Sequence, residues 1–346
     1  MNLKCLVDFH EWNGCGCPKC GKYRDEGHDW SEDCEKCAKC GKTRADQHSW
    51  NGCKCTSCGK TRILQIATLA NLQDMLKDLS GCYRLEADID ASPTKTWDSG
   101  KGFRPIGDED HRFTGILDGN GHTIRGLYIN RPRETHVGLI GYLASEHAEV
   151  RNLSLVNASV SGGKYVGGLV GMNNGGAVTE CQASGKISGE STVGGLVGCC
   201  MGTVTQCRAS GKVSGSDRVG GLVGANTEGS VTACYASGKV SGKEYDIGGL
   251  VGADYNGKFS QCYWDIQTTG QQASAGGKGM TSEEMKHLGA FADWDFEKVW
   301  QAEEENSYPA LRCFARNILK APYKPEPSVR GDSAAGRSFA RVPETA

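Results

Sequence analysis

Val166-Gly167-Gly168-Leu169-Val170-Gly171, Val193-Gly194-Gly195-Leu196-Val197-Gly198, Val219-Gly220-Gly221-Leu222-Val223-Gly224 and Ile247-Gly248-Gly249-Leu250-Val251-Gly252 are four copies of one hexapeptide. A shorter fifth, Val137-Gly138-Leu139-Ile140-Gly141, introduces them. Their leucines, Leu169, Leu196, Leu222 and Leu250, are almost evenly spaced. Behind each hexapeptide comes a matched tail such as Val178-Thr179-Glu180-Cys181-Gln182-Ala183-Ser184-Gly185-Lys186-Ile187-Ser188-Gly189. Short apolar runs punctuated by glycine at a period of about 27 residues predict one coil per repeat of a parallel β-helix. In such a solenoid coils stack at about 4.8 Å and each covers its neighbour's apolar edge. The fold class expected is mainly β.

Stacking places equivalent residues in columns. Cys181, Cys207, Cys234 and Cys262 form one, expected inside as small reduced apolar side chains. Lys186, Lys212 and Lys239 form another, expected outside, where like charges one coil apart are either solvated or matched by an anionic partner. Upstream, Leu69, Leu72, Met75, Leu76 and Leu79 recur at helical spacing before Gly81, predicting a helix that covers the open end of the solenoid. Asp118-Gly119-Asn120-Gly121 reads as a turn between strands. Downstream, Thr281 and Glu284 have capping-box spacing with Gly289 as a stop, predicting a helix over 281–289. Phe291, Trp294, Phe296, Val299 and Trp300 are then expected to plug the far end. From about Ala321, Pro, Ser, Gly and charge dominate, a composition expected to be disordered.

The Gly-Gly-Leu-Val-Gly repeats resemble the GLUG repeat of bacterial surface adhesins and IgA-type metallopeptidases, over roughly residues 63–312. The likeness extends to Tyr83-Arg84-Leu85-Glu86-Ala87-Asp88-Ile89-Asp90, Pro105-Ile106-Gly107-Asp108, Cys262-Tyr263-Trp264-Asp265 and Trp294-Asp295-Phe296. It implies a right-handed parallel β-helix used for adhesion or display, and it carries no active site across.

A different repeat fills the chain from Met1 to Arg62, where 10 of the 18 cysteines lie. Its units contain His10 with Cys15, Cys17 and Cys20, His28 with Cys34, Cys37 and Cys40, and His48 with Cys53, Cys55 and Cys58. One imidazole and three thiols is the ligand set of a structural zinc site, and the glycine after each third cysteine permits the tight turn of a knuckle. Two registers are open. Either each repeat holds its own ion, or a ribbon-like offset joins Cys17 and Cys20 to His28 and Cys34, and Cys37 and Cys40 to His48 and Cys53. Two or three Zn²⁺ per chain are expected. A disulfide knot is the alternative, but it would not account for three histidines at matched positions. Trp12, Trp30 and Trp50 are expected to supply the small apolar core of a module that metal must otherwise hold together.

The organisation expected is therefore a zinc-binding module over 1–62, a lead-in helix over 63–85, the β-helix over 86–265, a C-terminal cap over 266–320 and a tail over 321–346. Charge nearly cancels, with 39 Lys plus Arg against 41 Asp plus Glu. The segment from Met1 to Arg62 holds 11 basic against 9 acidic side chains, so the basic stripe that phosphate binding demands is absent. No run approaches the roughly 20 apolar residues of a membrane span. The opening of the chain does not read as a secretory signal, which makes a cytoplasmic location the default, with a bacterial cell-surface or extracellular one as the alternative.

Catalytic signatures are scarce. Asp108-Glu109-Asp110 with His111 and Arg112 is the densest acidic cluster, read as a solvated loop. His10-Glu11 is the one His-Glu pair, with Gly14 where a metallopeptidase helix needs its second histidine. Arg330-Gly331-Asp332 matches an integrin-recognition tripeptide at the level of chance. The function expected is a non-enzymatic binding, scaffold or adhesion protein with protein, glycan or self-association partners. A β-helix polysaccharide hydrolase or lyase, and a zinc-finger nucleic-acid binder, are the alternatives.

Overall fold

The computed structural model describes residues 50–51, 53–56, 58–291, 293–302 and 307–318. The first two cysteine repeats, the tail from 319 and Arg330-Gly331-Asp332 lie outside the described residues.

Period-two alternation and glycine spacing together shape each coil. In Ala177–Thr179, Thr203–Thr205 and Ser230–Thr232 a single central valine points inward, and Val178, Val204 and Val231 are wholly buried. These short strands pair in parallel with one another and belong to an eight-stranded face running from Leu64–Ile66 to Lys258–Ser260. The chain then turns into a second parallel face containing Ser154–Gly162, Gln182–Ser188 and Lys212–Ser214, closed at its far edge by Lys278–Met280. A third face stacks Lys164–Gly167, Ser191–Gly194, Asp217–Gly220 and Ile247–Gly248. A fourth stacks Ile140–Ala144, Val170–Asn174, Val197–Cys200, Val223–Thr227 and Val251–Tyr255. The four hexapeptides straddle the third and fourth faces, and Leu169, Leu196, Leu222 and Leu250 are in register and fully buried. The parallel β-solenoid expected from the repeat period is the fold observed.

Glycine is required where two coils nearly touch. A Cβ on Gly224 would lie 2.6 Å from the Val193 nitrogen and 2.7 Å from the Thr192 carbonyl carbon of the preceding coil, closer than side-chain carbons come to backbone. The facing corner is a column of left-handed residues: His136, Tyr165, Thr192, Arg218 and Asp246 have φ between 51° and 58°. A second left-handed column, Asn152, Glu180, Gln206, Ala233 and Gln261, turns the chain between the first two faces, with φ from 49° to 54°. Left-handed backbone costs an L-residue about 1–2 kcal/mol, and the stack repeats that cost because every coil must turn at the same place.

The cysteine column is as expected. Cys181, Cys207, Cys234 and Cys262 are buried and unbridged, and each Sγ donates to backbone carbonyls, as Cys207 does to Thr205 O at 3.2 Å. Burial pushes the Cys207 thiol well above its ordinary range, so the neutral form is the one the core holds.

Both ends differ from expectation in detail. The lead-in segment contributes its own rung, because Leu64–Ile66 pairs in parallel with Cys82–Leu85. Its helix is short, Leu69–Asp74 followed by a 3₁₀ turn through Lys77, with Thr68 as the N-cap and Leu72 and Met75 buried against the core. The predicted helix over 281–289 is two 3₁₀ turns, Glu284–Lys286 and Leu288–Ala290. The capping box itself forms, with Thr281 N donating to Glu284 Oε2 at 2.7 Å and Glu284 N to Thr281 Oγ1 at 3.2 Å. The aromatic set does not plug the end. Trp264 does that, packed with the main core over Gly249, while Phe291, Trp294 and Trp300 gather on the flank around Tyr235 and Tyr263. The reason is alternation: Tyr235 and Tyr263 point out of the second face where their neighbours Ala236 and Trp264 point in.

Candidate functional site

On the second face, Gln182–Ser188 carries Ala183 and Ile187 inward and leaves its other side chains outside. Two outward columns result, with opposite fates. In the first, Gln182, Arg208, Tyr235 and Tyr263 align and are covered by the C-terminal segment. Arg208 Nε donates to Gln182 Oε1 at 2.6 Å, and the Tyr235 hydroxyl donates to Pro309 O at 2.7 Å. Asp265 pins that segment down. Its buried carboxylate accepts from Gln267 N, Thr268 N, Ser282 Oγ and the Tyr308 hydroxyl. Burial alone would raise this carboxyl, but the four hydrogen bonds outweigh it and hold it below the usual carboxylate range.

The second column stays open. Ser159, Lys186 and Lys212 are in register, and Val213 N donates to Lys239 O at 2.8 Å, which continues the column by one coil. Lys186, Lys212 and Lys239 are all exposed. Beside them runs a parallel column of Ser188, Ser214 and Ser241. Among the described residues no carboxylate pairs with any of the three ammonium groups.

Of the three cysteine repeats, only Cys53, Cys55 and Cys58 of the third lie within the described residues. Trp50–Asn51 pairs antiparallel with Lys54–Cys55, Cys55 N donates to Lys60 O at 2.8 Å and Gly59 N to Cys55 O at 2.9 Å. Gly59 takes φ +72°, the left-handed turn expected after the third cysteine. This tight Cys55–Cys58–Gly59 loop has the form of a C-x₂-C knuckle and suits a tetrahedral thiolate site. Arg62 stacks over Trp50 at 4.7 Å and pairs with Asp78 at 2.7 Å.

Cys53 departs from the ligand set expected of it. It is joined in a disulfide to Cys82, the first residue of Cys82–Leu85, with the Cα atoms 5.1 Å apart. The hairpin lies over the first coil, so the nearest thiol to Cys53 belongs to the solenoid, and a cysteine so bonded is not a zinc ligand. Sequence reading missed Cys82 because it belongs to neither repeat, although its isolation between the module cysteines and the cysteine column was a signal. The disulfide borders a cleft of about 550 Å³ that also reaches Ser80, Thr114 and His147. Among the described residues no three His, Cys, Asp or Glu side chains converge on a point that would hold an ion. His10, Cys15, Cys17, Cys20, His28, Cys34, Cys37, Cys40 and His48 lie outside the described residues.

The acidic loop is tied up by its own backbone. Asp108 Oδ1 accepts from His111 N at 2.7 Å and Asp110 N at 3.1 Å, Glu109 O accepts from Arg112 Nε at 3.0 Å, and the Arg112 guanidinium lies 5.0 Å over Tyr142. The carboxylate closes a turn.

The GLUG motif matches residues 162–188 and 215–241. The hexapeptides and tails within those spans are GLUG motifs. Two sequence relatives match part of the chain. Halomucin of Haloquadratum walsbyi is 43% identical over 142 residues, which are 39% of this chain and 2% of that protein. A Gly-rich membrane protein, so described as a candidate, of Evansella cellulosilytica is 39% identical over 114 residues, 32% of this chain and 13% of that protein. The chain thus spans a small part of the relatives it matches. A crystal structure of a candidate immunoglobulin A1 protease from Bacteroides ovatus superposes with a TM-score of 0.57 at 18% identity, covering 73% of this chain and 93% of that one. At that identity the likeness is one of fold.

Proposed function

We propose that this chain is a non-enzymatic binding or scaffold protein of the adhesion type, whose solenoid presents a repetitive surface and whose N-terminal module binds zinc. The observation that carries the reading is the register itself. Coils that repeat at fixed spacing turn single side chains into columns of identical groups, which suits multivalent contact with a repetitive partner. The acidic loop supports the same reading, since Asp108 is consumed by its own turn. The disulfide and the likeness to a protein named halomucin and to one described as a membrane protein favour an extracellular or cell-surface setting.

Zinc in this reading is held by the His and Cys residues of the three repeats, two or three ions per chain. Cys53 joins them only when its bond to Cys82 is reduced. The Gly59 knuckle is what the described residues offer in support. With all four positions filled by protein ligands the metal would staple the module and take no substrate. A glycan array run beside a hydrolase and lyase screen tests the function. Binding without turnover is the expected result, and turnover of any polysaccharide that is lost in Asp108→Ala or Asp110→Ala would replace the reading with that of an enzyme. Elemental analysis finding under one zinc per chain would remove the metal from it.

A further inference from the structure

We infer that the open lysine column of the second face is a docking strip for an acidic linear polysaccharide, one bearing a carboxylate on each sugar. The inference rests on the binding function proposed above and names its ligand class. Lys186, Lys212 and Lys239 project from three successive coils, all exposed and none paired with a described carboxylate. Three like charges about 4.8 Å apart repel one another, and a solenoid keeps that spacing fixed. A polymer with regularly spaced negative charges relieves the repulsion, and a rigid array loses little freedom in meeting it.

The chemistry beside the lysines selects among polyanions. Ser188, Ser214 and Ser241 run parallel to them. The Ser188 and Ser241 hydroxyls donate to Val160 O at 3.5 Å and Val213 O at 3.4 Å, which leaves their oxygens as acceptors for a sugar hydroxyl while the ammonium groups meet carboxylates. The coil repeat is comparable to the advance of one extended sugar unit. Base-stacking aromatics, which single-stranded nucleic acid recruits, are absent from the three lysine coils of this column; the aromatic aligned with it, half-buried Tyr128, lies beyond Ser159, two coils from Lys186. The neighbouring column does carry aromatics, but the C-terminal segment buries them. That segment thus hides the apolar half of the face and leaves the cationic half exposed.

The test uses the full chain, polygalacturonate as probe, and dextran and polyadenylate as comparison polymers, by calorimetry at 50 and 200 mM salt. Polygalacturonate is expected to bind, with affinity falling roughly twentyfold to fortyfold between the two salts as about three counterions are exchanged. The triple variant Lys186→Gln/Lys212→Gln/Lys239→Gln should lose tenfold or more with an unchanged melting temperature. A charge-matched control, Lys164→Gln/Lys243→Gln/Lys258→Gln, alters exposed lysines elsewhere and should lose less than twofold. Equal loss in both triples would mean diffuse attraction and overturn the inference, as would polyadenylate or dextran binding as tightly through the same lysines. Failure to bind polygalacturonate while another glycan binds on an array overturns this inference alone. Failure with every ligand overturns the proposed function with it.

Discussion

Leu196 offers the sharpest test of the solenoid, because its replacement can be set against removal of the coil that contains it. The side chain is fully buried, between Leu169 and Leu222 in the coils on either side. Leu196→Asp forfeits roughly 1.5–3 kcal/mol of burial and places an unpartnered carboxyl in the core, for roughly a further 1–3 kcal/mol. The sum, roughly 3–6 kcal/mol, corresponds to a drop of about 10–20 °C in melting temperature for a fold of this size. The introduced carboxyl would have its folded pKa raised by burial, so the variant should regain stability as pH falls through that raised value towards the unfolded one. Deleting residues 193–218 instead joins Thr192 to Val219. Thr192 and Arg218 occupy the same left-handed corner, and Val193 and Val219 are register partners, so the shortened chain closes with its columns intact. Nearest-neighbour stability predicts the loss of one coil and one interface with no defect left behind. Thermal melts followed by circular dichroism on the three proteins decide it. A deletion variant that melts below Leu196→Asp would refute the idea that each coil is an independent, self-similar unit.

Three further outcomes are expected. Asp265→Asn should abolish an acid transition of the flank. The native carboxyl sits below its unfolded value, so its contribution is present above the unfolded pKa and lost as pH falls through the folded one. Tryptophan fluorescence of the Trp294–Trp300 cluster, titrated from pH 6 to pH 2, should report that transition in the native chain and a flat response in the variant. Gln206→Asn should raise the melting temperature slightly, since asparagine tolerates the φ of 54° found there better than glutamine does; a decrease would show that the glutamine side chain matters more than the backbone. Cys82→Ser should leave the solenoid's melt intact but speed proteolysis near residues 56–63, because the bond that joins Cys53 to the first coil and holds the hairpin there is gone. Unchanged cleavage would mean that Arg62, through Asp78 and Trp50, anchors the hairpin unaided.

The solenoid was legible because its information is repetitive. Leu169, Leu196, Leu222 and Leu250 announce both the period and the register, and every coil repeats the statement. What was not legible has no repeat behind it. Trp264 and Trp294 look alike as sequence, yet one fills the end of the core and the other caps the flank, decided by which side of a strand their neighbours occupy. The predicted helix over 281–289 shrank to 3₁₀ turns because a capping box fixes where a helix begins and not how far it runs, and Met285 is the one fully buried side chain in its first turn. Cys82 escaped notice for a like reason: the cysteine spacing points to partners among the three repeats, within one or in the next, while the contact made by Cys53 is set by how the hairpin sits on the first coil.

The same contrast explains why function resists a purely local reading here. Three aspartates that break the pattern serve the architecture. Asp265 clamps the flank, Asp118 accepts from Arg84 and Arg151 on adjacent coils, and Asp108 closes a turn. Among the described residues, the repeated Lys186, Lys212 and Lys239 face solvent and pair with no carboxylate. A side chain that recurs in register, faces solvent and pairs with no described carboxylate adds repulsion to the fold and nothing to its packing. Its presence in three successive coils is therefore better accounted for by what the surface meets than by what the core requires.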